Sequence, residues 1–285
     1  MGGVVTKTIN TLALHPNPYP VKAEDADHRL VYDELGDHLY YQTVGGVEDP
    51  TIVILYSYGN MYTTQDMNLQ NDLKRIHQQL EAALRGHKVC IYYYDWPQYG
   101  KTDGEISEET MNATIWRMYD YIHEHHSKDA KALLLWGFSL GSSPTCYLAN
   151  RLAKPLIDNV NQLRRPDGII LQSPVGEAVH LGTGWYTEDR TEPGWYDNIF
   201  RAKETPFWGP CVIFHGLEDK VVPPHSAEMI FAHIKSSPSR LELIPKKGHN
   251  NMKFKPNSKE FQVLMEWLPL VVPPPTQPNG QDGGG

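Results

Sequence analysis

Apolar positions along the chain form two kinds of pattern, short unbroken runs and longer stretches in which they return every three or four residues. Thr51 to Ser57 (TIVILYS), Lys88 to Tyr94 (KVCIYYY), Lys131 to Trp136 (KALLLW), Gly168 to Leu171, Cys211 to Phe214 (CVIF) and Leu241 to Ile244 are runs of strand length. Such near-continuous apolar runs fit strands covered on both faces. From about Thr64 to Arg85, Met67, Leu69, Leu73, Ile76, Leu80 and Leu84 recur at helical spacing, and Gly86 supplies a stop. Ser107 with Glu108 and Glu109 reads as the start of a second helix reaching about His125. Further helices are expected over about Gly141 to Leu152, residues 226 to 235 and residues 258 to 268.

Strand and helix therefore alternate, which implies an α/β protein with a mostly parallel central sheet and helices on both faces. His28 to Tyr32 and Asp37 to Thr43 read as two further short strands around the turn at Glu34-Leu35-Gly36. No linker interrupts the pattern, so residues 28–269 are expected to form one domain. Residues 1–27 form a polar, proline-containing extension, and 270–285, with PPPTQPNGQDGGG, form a tail too poor in apolar side chains to pack.

Composition narrows the function classes. Lys plus Arg number 26 against 34 Asp plus Glu, a formal charge of -8, which gives no electrostatic basis for holding nucleic acid. Three cysteines, Cys90, Cys146 and Cys211, are odd in number and far apart. They support neither a disulfide scaffold nor a zinc site, and a reducing compartment is expected. No cofactor or metal is implied. No stretch approaches the ~18 apolar residues of a membrane span. Met1-Gly2-Gly3-Val4-Val5-Thr6 matches the pattern for acylation of Gly2, which gives a cytoplasmic location with reversible peripheral membrane contact as an expectation.

The chemistry begins where the strand at Lys131 to Trp136 stops. Gly137-Phe138-Ser139-Leu140-Gly141 follows that strand and precedes a helix, the setting of a nucleophile elbow. The sharp turn lifts the Ser139 hydroxyl above the sheet, turns the Leu140 N–H toward a developing oxyanion, and needs small neighbours. His249, in Lys247-Gly248-His249-Asn250-Asn251 after the last strand, is the candidate base. His123, His125 and His126 read instead as solvated residues at a helix end. Asp219, after the CVIF strand, is the candidate acid that would fix the histidine tautomer; the adjacent Glu218 is the alternative. The loop Tyr58-Gly59-Asn60-Met61 should supply a second oxyanion donor, with Asn60 N–H the better candidate and Met61 the second.

The order Ser139, Asp219, His249 is that of an α/β hydrolase. The chain resembles the eukaryotic α/β-hydrolase-domain serine hydrolases that include the N-Ras depalmitoylases. The resemblance runs through Ser57-Tyr58-Gly59-Asn60, Tyr94-Asp95 with Tyr99-Gly100, the elbow, Leu171-Gln172-Ser173-Pro174, His215-Gly216-Leu217-Glu218-Asp219 and Gly248-His249-Asn250. It implies cleavage of an acyl ester or thioester on an acyl-lipid or lipidated-protein substrate. Two departures stand out. Tyr58 occupies a position where that family usually has histidine, and the depalmitoylases' cysteine-rich N-terminus is missing here.

Only 37 residues separate Ser173 from Cys211, too few for a large cap domain over Ser139. They include Gly184-Trp185-Tyr186 and Gly194-Trp195-Tyr196. These aromatics either pack a long loop onto the domain or, with Tyr58 and Met61, line a substrate groove. Pro275-x-x-Pro278 would suit a weak polyproline-mediated protein contact.

Overall fold

The computed structural model describes residues 18, 20, 22, 28–126, 129–154, 164–177, 193–205 and 208–275. Gly2, Trp185 and Pro278 lie outside these residues. Among the described residues eight strands form one sheet: β1 (Arg29–Val31), β2 (His38–Val44), β3 (Ile52–Ser57), β4 (Val89–Tyr94), β5 (Ala132–Phe138), β6 (Gly168–Gln172), β7 (Cys211–Gly216) and β8 (Arg240–Ile244). The order across the sheet is β1-β2-β4-β3-β5-β6-β7-β8. The pairings of β1 with β2 and of β2 with β4 are antiparallel, and the others are parallel. Every residue of β3, β4, β5, β6 and β7 is buried, as the unbroken apolar runs require of strands with both faces covered.

Among the described residues six helices connect or flank these strands: α1 (Met67–Ala83), α2 (Glu108–His126), α3 (Ser142–Ala153), α4 (Asn198–Glu204), α5 (His225–His233) and α6 (Lys259–Trp267). Helix α1 starts three residues after the expected Thr64, because the Asp66 carboxylate accepts from the amides of Asn68 and Leu69 at 2.8 and 2.9 Å and caps it there. Leu69, Leu73, Ile76 and Leu80 are its buried stripe, whereas Met67 is 73% exposed. Helix α4 is the short crossover helix between β6 and β7. Two expectations are corrected. His126 is buried, with Nε2 2.6 Å from the Tyr92 hydroxyl, so the histidines ending α2 are not all solvated; burial, with His125 beside it, lowers its pKa. Packing also continues past residue 269: Val272 is 4% exposed within the core, so the boundary at 269 falls short.

Parallel topology brings the carboxyl ends of β3, β5 and β7 to one edge. β3 and β5 are neighbours, and β6 lies between β5 and β7. The loops after these strands carry Tyr58 to Met61, Ser139 and Asp219. That edge is where open α/β sheets form their crevices.

Candidate active site

Ser139 opens a 3-10 turn between β5 and α3 and has φ of 52°, in the left-handed region that a side chain occupies only when its surroundings impose it. Those surroundings are crowded. A Cβ on Gly137 would lie 2.7 Å from Ser142 Cα and 2.7 Å from Thr145 Oγ1, and one on Gly141 would overlap the carbonyls of Ser57 and Tyr58. The elbow is therefore pressed against the end of β3. A Cβ on Gly59 would stand 3.2 Å from Ser139 Cβ, so the loop after β3 runs beside the serine.

The three residues expected to act together are brought together. His249 Nε2 is 2.8 Å from Ser139 Oγ, and His249 Nδ1 is 2.8 Å from Asp219 Oδ2. An ionised carboxylate only accepts, so Nδ1 carries the hydrogen and Nε2 is left to accept the serine proton. Asp219 is buried, whereas Glu218 is exposed and holds Lys247 O only through its backbone N–H, at 2.8 Å. Asp219 Oδ1 accepts from the amides of Val221 and Val222 at 2.9 Å each. Burial pushes the Asp219 carboxyl up, but hydrogen bonds from His215, His249 and the Val222 amide outweigh it and hold it well below the usual carboxylate range. Phe138 lays its ring 5.4 Å from that of His249, on one side of the imidazole.

The loop after β3 is clamped from beneath. Tyr58 has no exposed surface, and its hydroxyl donates to Asp95 Oδ1 at 2.8 Å; it supports the loop and does not line an open groove. Asp95 also accepts from Thr64 N at 2.6 Å, Thr64 Oγ1 at 2.7 Å and Lys101 N at 3.2 Å. Its carboxyl is pushed up to about 6, burial being the main cause, partly opposed by these bonds. Tyr99 OH donates to Asn60 Oδ1 at 2.6 Å, and the same oxygen accepts the Met61 amide at 2.9 Å. The Met61 N–H is thus already engaged by the side chain of its neighbour. Met61 itself is 67% exposed with φ of 71°, at the rim. Trp195 packs partly buried against the core.

The Asp95 clamp escaped the sequence reading, although a carboxylate directly after the apolar run VCIYYY was a visible signal for it. A small hollow of about 40 Å³ is lined in part by Phe138, Tyr62, Gln172, Asn250 and Met252. A larger one, about 540 Å³, lies among β2, β4 and the C-terminal turn of α2, on the antiparallel side of the sheet. Among the described residues no group of three or more His, Cys, Asp or Glu is arranged to hold a metal ion, and no helix is long and apolar enough to cross a membrane.

No family model matches the chain. An uncharacterised protein of Mycobacterium tuberculosis is 24% identical over 176 residues, covering 61% of this chain and 57% of that protein. The α/β-hydrolase domain-containing protein aho-3 of Caenorhabditis elegans is 23% identical over 171 residues, 58% of this chain and 46% of that protein. The matches thus span about half the length of these curated relatives. Among solved structures, an esterase of Pyrococcus furiosus superposes with a TM-score of 0.62 at 11% identity, over 90% of this chain and 97% of its own. An α/β hydrolase of Penicillium superposes with a TM-score of 0.58 at 16% identity, over 86% and 97%. These likenesses show the α/β-hydrolase fold.

Proposed function

We propose that the chain is a serine hydrolase that cleaves acyl esters or thioesters through an acyl-Ser139 intermediate. The observation that carries this reading is the unbroken relay from Ser139 Oγ through His249 to Asp219, two contacts of 2.8 Å, set at a strained elbow in an α/β-hydrolase fold. In the first half-reaction Ser139 Oγ attacks the acyl carbon while His249 Nε2 takes its proton. The oxyanion forms against the N–H groups of Leu140 and Asn60. His249 returns the proton to the departing alcohol or thiol, leaving an ester on Ser139. Water, deprotonated by the same nitrogen, then releases the acid and restores the hydroxyl. Throughout, the Asp219 carboxylate stabilises the transient imidazolium, and its depressed pKa keeps it ionised.

Within that chemistry, the substrate class we favour is a lipidated protein or another bulky acyl compound. The short β6 to β7 interval supports it by leaving no room for a large cap. A general carboxylesterase is the second reading, in keeping with the esterase among the solved structures of this fold. Labelling with a fluorophosphonate tests the common chemistry: the folded protein should be modified and Ser139→Ala should not. A folded Ser139→Ala protein labelled as fast as the parent would end the proposal.

A further inference from the structure

His215 is the penultimate residue of β7, four positions before Asp219, and its imidazole is fully buried. Its Nε2 stands 2.9 Å from Val222 O and 3.3 Å from Asp219 Oδ2. A carbonyl and an ionised carboxylate both only accept, so Nε2 carries the hydrogen and shares it between them. The other ring nitrogen, Nδ1, is buried with no hydrogen-bond partner among the described residues. Buried N–H groups are left orphaned more rarely than buried acceptors. The position of Nδ1 therefore selects the same tautomer by a separate route.

Two imidazoles thus converge on one carboxylate oxygen. His249 comes from the loop after β8 and faces Ser139; His215 comes from the end of β7 and faces no reacting group. The two amides of Val221 and Val222 hold Oδ1 but leave Oδ2, the oxygen that meets His249, secured by side chains alone. If His249 were its sole partner, Oδ2 and the imidazole could drift together away from Ser139 without losing their mutual bond. A rigid N–H fixed to the end of β7 prevents that drift. It also ties the Val222 carbonyl to the same strand end, so the turn from Leu217 to Val222 is closed on itself.

We propose that His215 is a positioning residue for the acid: one shared N–H fixes the orientation in which Asp219 presents Oδ2 to His249. The inference rests on the reading of Ser139, His249 and Asp219 as a catalytic relay. It assigns His215 no contact with substrate, and its effect is expected in turnover more than in substrate binding.

The test uses three substitutions. His215→Phe keeps the ring and removes the donor, His215→Gln places an amide N–H near the former Nε2, and His215→Asn has a donor too short to reach. Hydrolysis of a soluble p-nitrophenyl ester and urea denaturation are measured for each. His215→Phe should lower kcat about ten- to a hundredfold, the scale of a misplaced catalytic group, with KM little changed. His215→Gln should recover most of that loss and His215→Asn should not, a comparison that survives if the Phe variant fails to fold. In an Asp219→Asn background the His215 substitutions should have almost no further effect, because the group they position is already gone. A readout independent of turnover is the NMR resonance of the proton on His249 Nδ1, which should shift or broaden in His215→Asn and be restored in His215→Gln. A parent protein without turnover would remove the catalytic reading while this resonance still decided whether His215 orients Asp219. Folded variants with unchanged kcat and an unchanged resonance, or losses of equal size with and without Asp219, would overturn the proposal.

Discussion

Tyr58 donates its hydroxyl to Asp95 across 2.8 Å, joining the loop that passes Ser139 to a carboxylate with no exposed surface. Tyr58→Phe should keep the ring stacked 5.1 Å from Trp96 and remove only the donor. The expected cost is about 1–3 kcal/mol of stability, the scale for leaving a buried polar group short of a partner. A lower kcat should accompany it as Gly59 and Asn60 loosen beside the serine. Urea denaturation and steady-state kinetics check both effects.

The same carboxylate sets a pH dependence. Its pKa is pushed up to about 6 in the folded protein, above the value of about 3.9 for an unfolded Asp. The folded state therefore binds this proton more tightly than the unfolded state. The resulting contribution to stability is complete below about pH 3.9 and is lost as pH rises through about 6. Asp95→Asn lacks this dependence, so its stability deficit relative to the parent should shrink between about pH 4 and 7. Denaturation curves of the two proteins across that range should converge; a gap that is constant or widens would contradict the assignment.

Asp219 has the opposite sign. Its depressed pKa means that the stability it contributes is present above the unfolded carboxylate value and is lost only as pH falls below the usual carboxylate range. Protonation of Asp219 should accordingly not set the acid limb of the activity profile. Asp219→Asn should reduce kcat by about 10⁴-fold by disturbing the tautomer of His249, while Glu218→Gln, exposed and outside the relay, should change it little. Kinetics of both variants on one ester settle which carboxylate serves.

The elbow glycines should tolerate no side chain. Gly137→Ala would set a methyl 2.7 Å from backbone and hydroxyl atoms of α3, and an overpacked core position costs about 1–3 kcal/mol. Thermal or urea unfolding should show the loss, together with reduced labelling of Ser139.

Much of this arrangement was readable from the sequence because each signal was local. Unbroken runs such as CVIF have the length and flanking turn residues of buried strands, and Gly137 to Gly141 spans one turn. The relay residues lie in separate loops, yet each directly follows a recognisable strand. What escaped depends on contacts across long sequence separations. Asp95 and Tyr58 are 37 positions apart. His126 is buried because Tyr92 offers it a partner from 34 positions away. Val272 packs although the residues after it are mostly proline and glycine. The cap on α1 was local but missed, since Met67 looked like the first apolar contact and instead lies exposed just inside the Asp66 cap.

Chain-length preference separates the two substrate readings. Acyl thioesters and esters from C2 to C16, below their aggregation limits, should show kcat/KM rising by up to a few fold per methylene if a groove holds the chain, since each buried CH₂ contributes about 0.8 kcal/mol at most. Release of palmitate from an S-palmitoylated peptide should then be observed. Preference for C2 to C4 with an inert peptide would favour the carboxylesterase reading.

The most direct measurement is the site of the covalent intermediate. The protein is mixed with an activated acyl ester, quenched in acid within the first turnover, digested and examined by mass spectrometry. The expected result is one acyl group on the peptide bearing Ser139, absent from Ser139→Ala, and accumulating to a higher level in His249→Ala only if deacylation is slowed more than acylation. An acyl group on another residue, or undiminished ester hydrolysis by folded Ser139→Ala, would contradict the assignment of Ser139 as nucleophile.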